Sequence, residues 1–92
     1  MLLNDAFVQT QAAALAARIT REAGDRPEKQ IARAFQLVLQ RAPTKMEQKA
    51  SLNLLEDQRK RAVAEGAAEP ARAALSSFCR GLLNVNEMIY VD

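Results

Sequence analysis

Hydrophobic positions recur along this chain at three- and four-residue spacing, the interval at which side chains return to one face of an α-helix. Val8, Ala12, Leu15 and Ile19, with Phe7 beside them, predict a first helix over about 5–23. Asn4 is placed to cap it, Asp5 meets the positive end of its dipole, and Gly24 stands where a left-handed stop is wanted. Ile31, Ala34, Phe35, Val38 and Leu39 follow the same spacing without a fault and predict a second helix over 26–41. Asp25 and Glu28 read as its capping box, with Pro27 tolerated in the first turn, where its missing N–H has no helical partner. Pro43 closes the segment, because the residue before a proline is pushed out of helical dihedrals.

Thr44 and Glu47 form a second capping box, opening a third helix over 45–65 with Gly66 as its stop. Its apolar positions are looser: Met46, Ala50, Leu52, Leu54, Leu55, Ala62 and Val63. The polar run Glu56-Asp57-Gln58-Arg59-Lys60-Arg61 predicts that its second half projects from the body or lies on the surface. Pro70 suits the first position of a fourth helix over 70–84, which would bury Ala71, Ala74, Leu75, Phe78, Cys79, Leu82 and Leu83. Asn84-Val85-Asn86-Glu87 then reads as a break and restart, since asparagine serves both as a left-handed cap and as an N-cap. The short final turn, Met88-Ile89-Tyr90-Val91, is apolar enough to dock against something. The expected fold is all-α, a small bundle of four helices plus that C-terminal turn, forming a single helical domain over 1–92. Short connections favour antiparallel neighbours, and regular or crossed geometry stays open.

Composition sharpens this picture. The chain is 49% hydrophobic but only 4% aromatic, and much of the apolar share is alanine, which favours helix while adding little buried area. The core should therefore rest on Phe7, Leu15, Ile19, Ile31, Phe35, Val38, Leu39, Leu52, Leu55, Leu75, Phe78, Leu82 and Leu83, with any one of the three phenylalanines critical. A net charge of +2 implies neither a nucleic-acid nor an anionic-membrane partner. No apolar run approaches the ~18–20 residues that span a bilayer, and the start lacks the basic leader of a signal peptide. Localisation is otherwise unknown from these residues.

Chemistry is limited by what is missing. One cysteine forms no internal disulfide, and the absence of histidine removes His-based triads, zinc fingers and haem attachment through Cys-x-x-Cys-His. Cys79 falls on an apolar stripe with nothing to activate it, which predicts a structural thiol. Glu56 and Asp57 diverge as neighbours on a helix, and Glu47, Glu65, Glu69 and Glu87 sit at helix ends, where capping and dipole roles suffice. Asn84 and Asn86 read as backbone caps. The basic cluster Arg59-Lys60-Arg61 could neutralise phosphates. Glu56–Lys60 and Asp57–Arg61 pairs on a solvated face explain it as well, and no aromatic residues interleave to stack bases. The expectation is no catalytic, cofactor-binding or metal-binding residue, no cofactor, and no enzyme.

Three stretches carry a resemblance that periodicity does not supply. They are Leu2-Leu3-Asn4-Asp5-Ala6-Phe7-Val8 with Leu15-Ala16-Ala17-Arg18-Ile19, the junction Leu39-Gln40-Arg41-Ala42-Pro43-Thr44 running to Glu47, and the end from Phe78-Cys79-Arg80-Gly81-Leu82-Leu83 to Tyr90-Val91-Asp92. Together they resemble the C-terminal part of the planctomycete-specific domain of unknown function, the family numbered 1553, found in large proteins of planctomycetes and verrucomicrobia. Gln40 stands where a glycine is common, Ala42 where a proline is, and Met88 where phenylalanine is usual. The resemblance implies an exported parent protein, often with cytochrome-c-like domains upstream, of which this chain is the terminal piece. Any haem would lie outside these residues, and no catalytic residues carry over.

The function expected is that of a non-catalytic helical module that packs against its parent chain or self-associates, with no membrane partner. One alternative is a small nucleic-acid-binding protein using Arg59-Lys60-Arg61. Another, from the resemblance alone, is an accessory domain of a secreted degradative enzyme. The helix map is testable at two positions: Phe35→Ala should cost about 3–5 kcal/mol as a core truncation, and Thr44→Ala about 1 kcal/mol through loss of a cap. Chemical denaturation measures both, and two unchanged midpoints would contradict the map.

Overall fold

A computed structural model describes residues 5–89, with side chains through residue 86, and every regular element in it is helical. In chain order these are α1 (Asp5–Ala23), α2 (Pro27–Leu39), α3 (Lys45–Ala64) and α4 (Pro70–Ile89). The body measures 39 × 30 × 22 Å. Helix α4 packs extensively against both α1 and α3, α2 touches all three, and among the described residues the backbones of α1 and α3 do not approach each other closely. The fold is an all-α bundle organised around its last helix.

Each helix buries the stripe its sequence spacing predicts, with three instructive differences. Val8, Ala12, Ala16 and Ile19 line the inner face of α1, and Ile31, Ala34, Phe35 and Val38 that of α2. From α4 come Ala74, Leu75, Phe78, Cys79 and Leu82, whereas Ala71, expected in the same stripe, is exposed because it lies in the first turn, at the end of the bundle. The first difference is that small residues are central to the core. Ala12, Ala16, Ala34 and Ala74 are essentially inaccessible and sit in one cluster with Ile19, Ile31, Leu75 and Phe78. Alanine removes little apolar area from water, but it lets helix backbones approach closely, which the list of large residues overlooks.

Phe7 is the second difference. It is 50% exposed instead of buried, because the inward stripe of α1 passes through Val8. Leu15, Leu39, Leu52 and Leu83 are also only partly buried, packed against the edge of the core.

The third lies in α3. Met46, Leu54 and Val63 face solvent, Met46 at 84% exposure, while Ser51, Leu55 and Ala62 form the inner face and Gln58 is half-buried between them. These four positions return to one side at i, i+4, i+7 and i+11, so the second half of α3 does not project. Its polar residues cover the outside of a helix that is packed along α4.

Local chemistry sets the ends. The α1 stop is as expected, with Gly24 at φ 80° and its N–H bonded to Thr20 O at 3.0 Å. Asp25 does not cap α2: the N-cap is Arg26, in extended conformation with no side-chain cap, and Glu28 pairs with Arg26 at 3.5 Å. Pro27 explains the shift, since it holds the preceding residue in extended dihedrals and so fixes the boundary one residue beyond Asp25. At the other end α2 stops at Leu39, before the expected 41, because Gln40 turns left-handed (φ 55°, ψ 36°) while its N–H still reaches Gln36 O at 3.1 Å. Gln40 is the position where the resemblance calls for glycine, and a positive φ is the physical reason.

The capping box of α3 forms as read: Glu47 N–H donates to Thr44 Oγ1 at 3.1 Å and Thr44 N–H to Glu47 Oε1 at 2.9 Å. Gly66, at φ 80°, closes α3 by donating to Val63 O at 3.0 Å, while Ala67 N–H reaches back to Ala62 O at 2.9 Å. That is the Schellman pattern.

The break predicted at Asn84–Glu87 is absent. Helix α4 runs on to Ile89, so Asn84 and Asn86 are mid-helix residues and not caps, and Met88 and Ile89 belong to the helix instead of a separate turn. A helix-interior asparagine costs less than about 0.7 kcal/mol relative to alanine, which packing of the same helix through Leu82 and Leu83 outweighs. The Asn4 cap and the rest of the expected turn, Tyr90 and Val91, lie outside the described residues.

Two outcomes follow from this packing. Phe78→Ala should cost about 3–5 kcal/mol, whereas Phe7→Ala should cost less than half of that, because its ring is already half in water. Gln40→Gly should raise stability by about 1 kcal/mol by relieving the left-handed strain. Urea denaturation of the three variants against the unmodified chain measures both.

Candidate functional site

A concavity of about 480 Å³ opens where four helices converge: the end of α1, the start of α2, the middle of α3 and the start of α4. Two prolines begin helices at this end of the molecule, Pro27 and Pro70, and both line the opening. The floor is apolar, built from Leu52, Leu55, Ala74 and Leu75, and Ala71 stands exposed at its edge. Charged side chains make the rim: Asp25, Glu56, Arg59, Glu69 and Arg72. Its size falls within the usual range of ligand and side-chain pockets.

The rim's own electrostatics are partly closed. Arg59 donates to both carboxylate oxygens of Glu56, at 3.1 and 2.7 Å, and this guanidinium holds the Glu56 carboxyl below its usual value. So Glu56 turns to Arg59, three residues on, and not to the expected Lys60. Among the described residues no ion pair joins Asp57 to Arg61.

Arg59, Lys60 and Arg61 do not share one face of α3. Consecutive residues on a helix diverge by about 100°, so Arg59 lies on the groove rim in its ion pair while Lys60 and Arg61 point elsewhere on the exposed surface of α3. Cys79 is fully buried in the core, and burial pushes its thiol up to about 12. A thiol so held does not ionise at neutral pH. Among the described residues no three His, Cys, Asp or Glu side chains gather as metal ligands, and no helix is long and apolar enough to cross a membrane.

Polar contacts lock the elements that carry the groove. Glu22 on α1 accepts from Arg18 at 2.9 Å and from Arg33 of α2 at 2.7 Å, and Gln30 donates to Gly24 O at 2.8 Å across the α1–α2 turn. Gln48 of α3 reaches Glu28 O of α2 at 3.2 Å.

The α2–α3 junction is held by Arg41. Its guanidinium grips Glu47 with two bonds, at 2.7 and 2.9 Å, and lies 5.6 Å from the centre of the Phe35 ring. One side chain therefore joins the capping box of α3 to the buried aromatic of α2, through a bidentate ion pair and a cation–π contact. This gives the Arg41-Ala42-Pro43-Thr44 junction a physical reason.

That junction lies inside the stretch that decides the family. The sequence profile of PSD1, described as a protein of unknown function (DUF1553), matches residues 1–55. The chain belongs to the DUF1553 family. No curated protein matches it. No solved structure does either. The match takes in α1, α2 and α3 as far as Leu55, whereas α4 and the Phe78–Asp92 stretch on which the resemblance also drew lie beyond it.

The groove escaped the sequence reading. Leu52 and Leu75 appeared only as core residues, Pro70 only as a helix start, and Asp25 only as a cap. Their convergence depends on how α3 and α4 cross, and no local pattern encodes that. The shared tendency of Pro27 and Pro70 to begin helices was the one available hint.

The Arg41–Glu47 lock predicts a pH dependence for this DUF1553 domain. Its hydrogen bonds from Arg41, and then from the Thr44 backbone, lower the Glu47 carboxyl from 4.5 to about 2. A depressed carboxylate stabilises the fold fully above its unfolded value, and that contribution is lost as pH falls from about 4.5 towards 2. Glu22 and Glu56 are lowered too and lose stabilisation in the same direction. Glu47→Gln keeps a side chain able to serve the capping box but removes the charge. It should melt below the unmodified domain at pH 7, with the difference shrinking as pH falls towards 2. Thermal melts across that range measure it.

Proposed function

We propose that this DUF1553 domain is a non-catalytic packing module, and that its groove receives an apolar segment from the remainder of a longer, exported parent polypeptide. The observation that carries the reading is the concavity where four helix segments meet, in which half-buried Leu52 and Pro70 and exposed Pro27 and Ala71 leave apolar surface accessible above the buried Leu55, Ala74 and Leu75. A bundle of this size would gain from covering the apolar surface that Leu52, Pro27, Pro70 and Ala71 leave accessible, at about 25 cal/mol per Å² removed from water. Membership in a family resembling parts of large exported proteins supports an intramolecular partner over a free ligand. Phe7 and Val85, half exposed on α1 and α4, add apolar surface outside the groove.

Support for the nucleic-acid reading is thinner. Arg59 is engaged by Glu56, Asp57 lies among the remaining cations, and the rim of the main concavity carries three carboxylates beside its two guanidinium groups. No observation favours an accessory role in a degradative enzyme.

The test is a calorimetric titration of the 92-residue domain with the remainder of its parent polypeptide, expressed separately. Ala71→Arg places a bulky cation at the exposed edge of the groove without disturbing the buried stripe of α4. Binding by the unmodified domain, weakened at least tenfold by Ala71→Arg, is the expected result. No binding, or binding indifferent to Ala71→Arg, would overturn the proposal.

A further inference from the structure

We draw no further inference here: the strongest candidate, the cavity of about 420 Å³ between α1, the end of α2 and the end of α4, where the side-chain oxygen of Asn86 has no hydrogen-bond partner among the described residues, carries nothing because nothing in the structure shows what covers it.

Discussion

Burial of α4 is the interaction on which the rest of this bundle depends. Among the described residues the backbones of α1 and α3 do not approach each other closely, and each makes its main packing contact with α4. Leu75, Phe78 and Leu82 of that helix are buried, which at ordinary transfer energies contributes about 5–9 kcal/mol. That is comparable to the entire stability of a small domain. The hydrogen bonds and ion pairs between α1, α2 and α3 are exposed by contrast, and interactions of that kind contribute modestly. They orient helices that α4 has already drawn together.

Two consequences follow for the candidate site. The groove floor is shared between α3 and α4, with Leu52 and Leu55 from one and Ala74 and Leu75 from the other, so it exists only when α4 is in place. The family match also ends at Leu55, part-way along α3. The matched stretch thus contains the Arg41–Glu47 junction but not the helix that completes the core. The physical folding unit is longer than the stretch that identifies it.

Much of the fold was legible because local rules decided it. Gly24 and Gly66 end helices with positive φ, Thr44 and Glu47 form their capping box, and Pro70 begins α4. Where the reading failed, a tertiary or neighbouring constraint overrode a local preference. Asn84 and Asn86 prefer caps, yet α4 continues through them. Asp25 is a good cap, but Pro27 fixes the boundary one residue later. Phe7 is large and apolar, but the rotation of α1 directs Val8 inward instead. Ala12, Ala34 and Ala74 were legible as stripe positions, but their weight in the core, and the place of Ala16 beside them, was hidden because close helix approach is a property of pairs of helices, not of any one segment. The groove was invisible for the same reason.

The central claim is that α4 closes the fold, and removing it tests this most directly. Heteronuclear NMR of a fragment covering residues 1–69 should show narrow amide dispersion, and its thermal melt should lack a cooperative transition. The 92-residue chain should show both dispersion and cooperativity under the same conditions. A dispersed spectrum and a cooperative melt from the fragment alone would contradict the account.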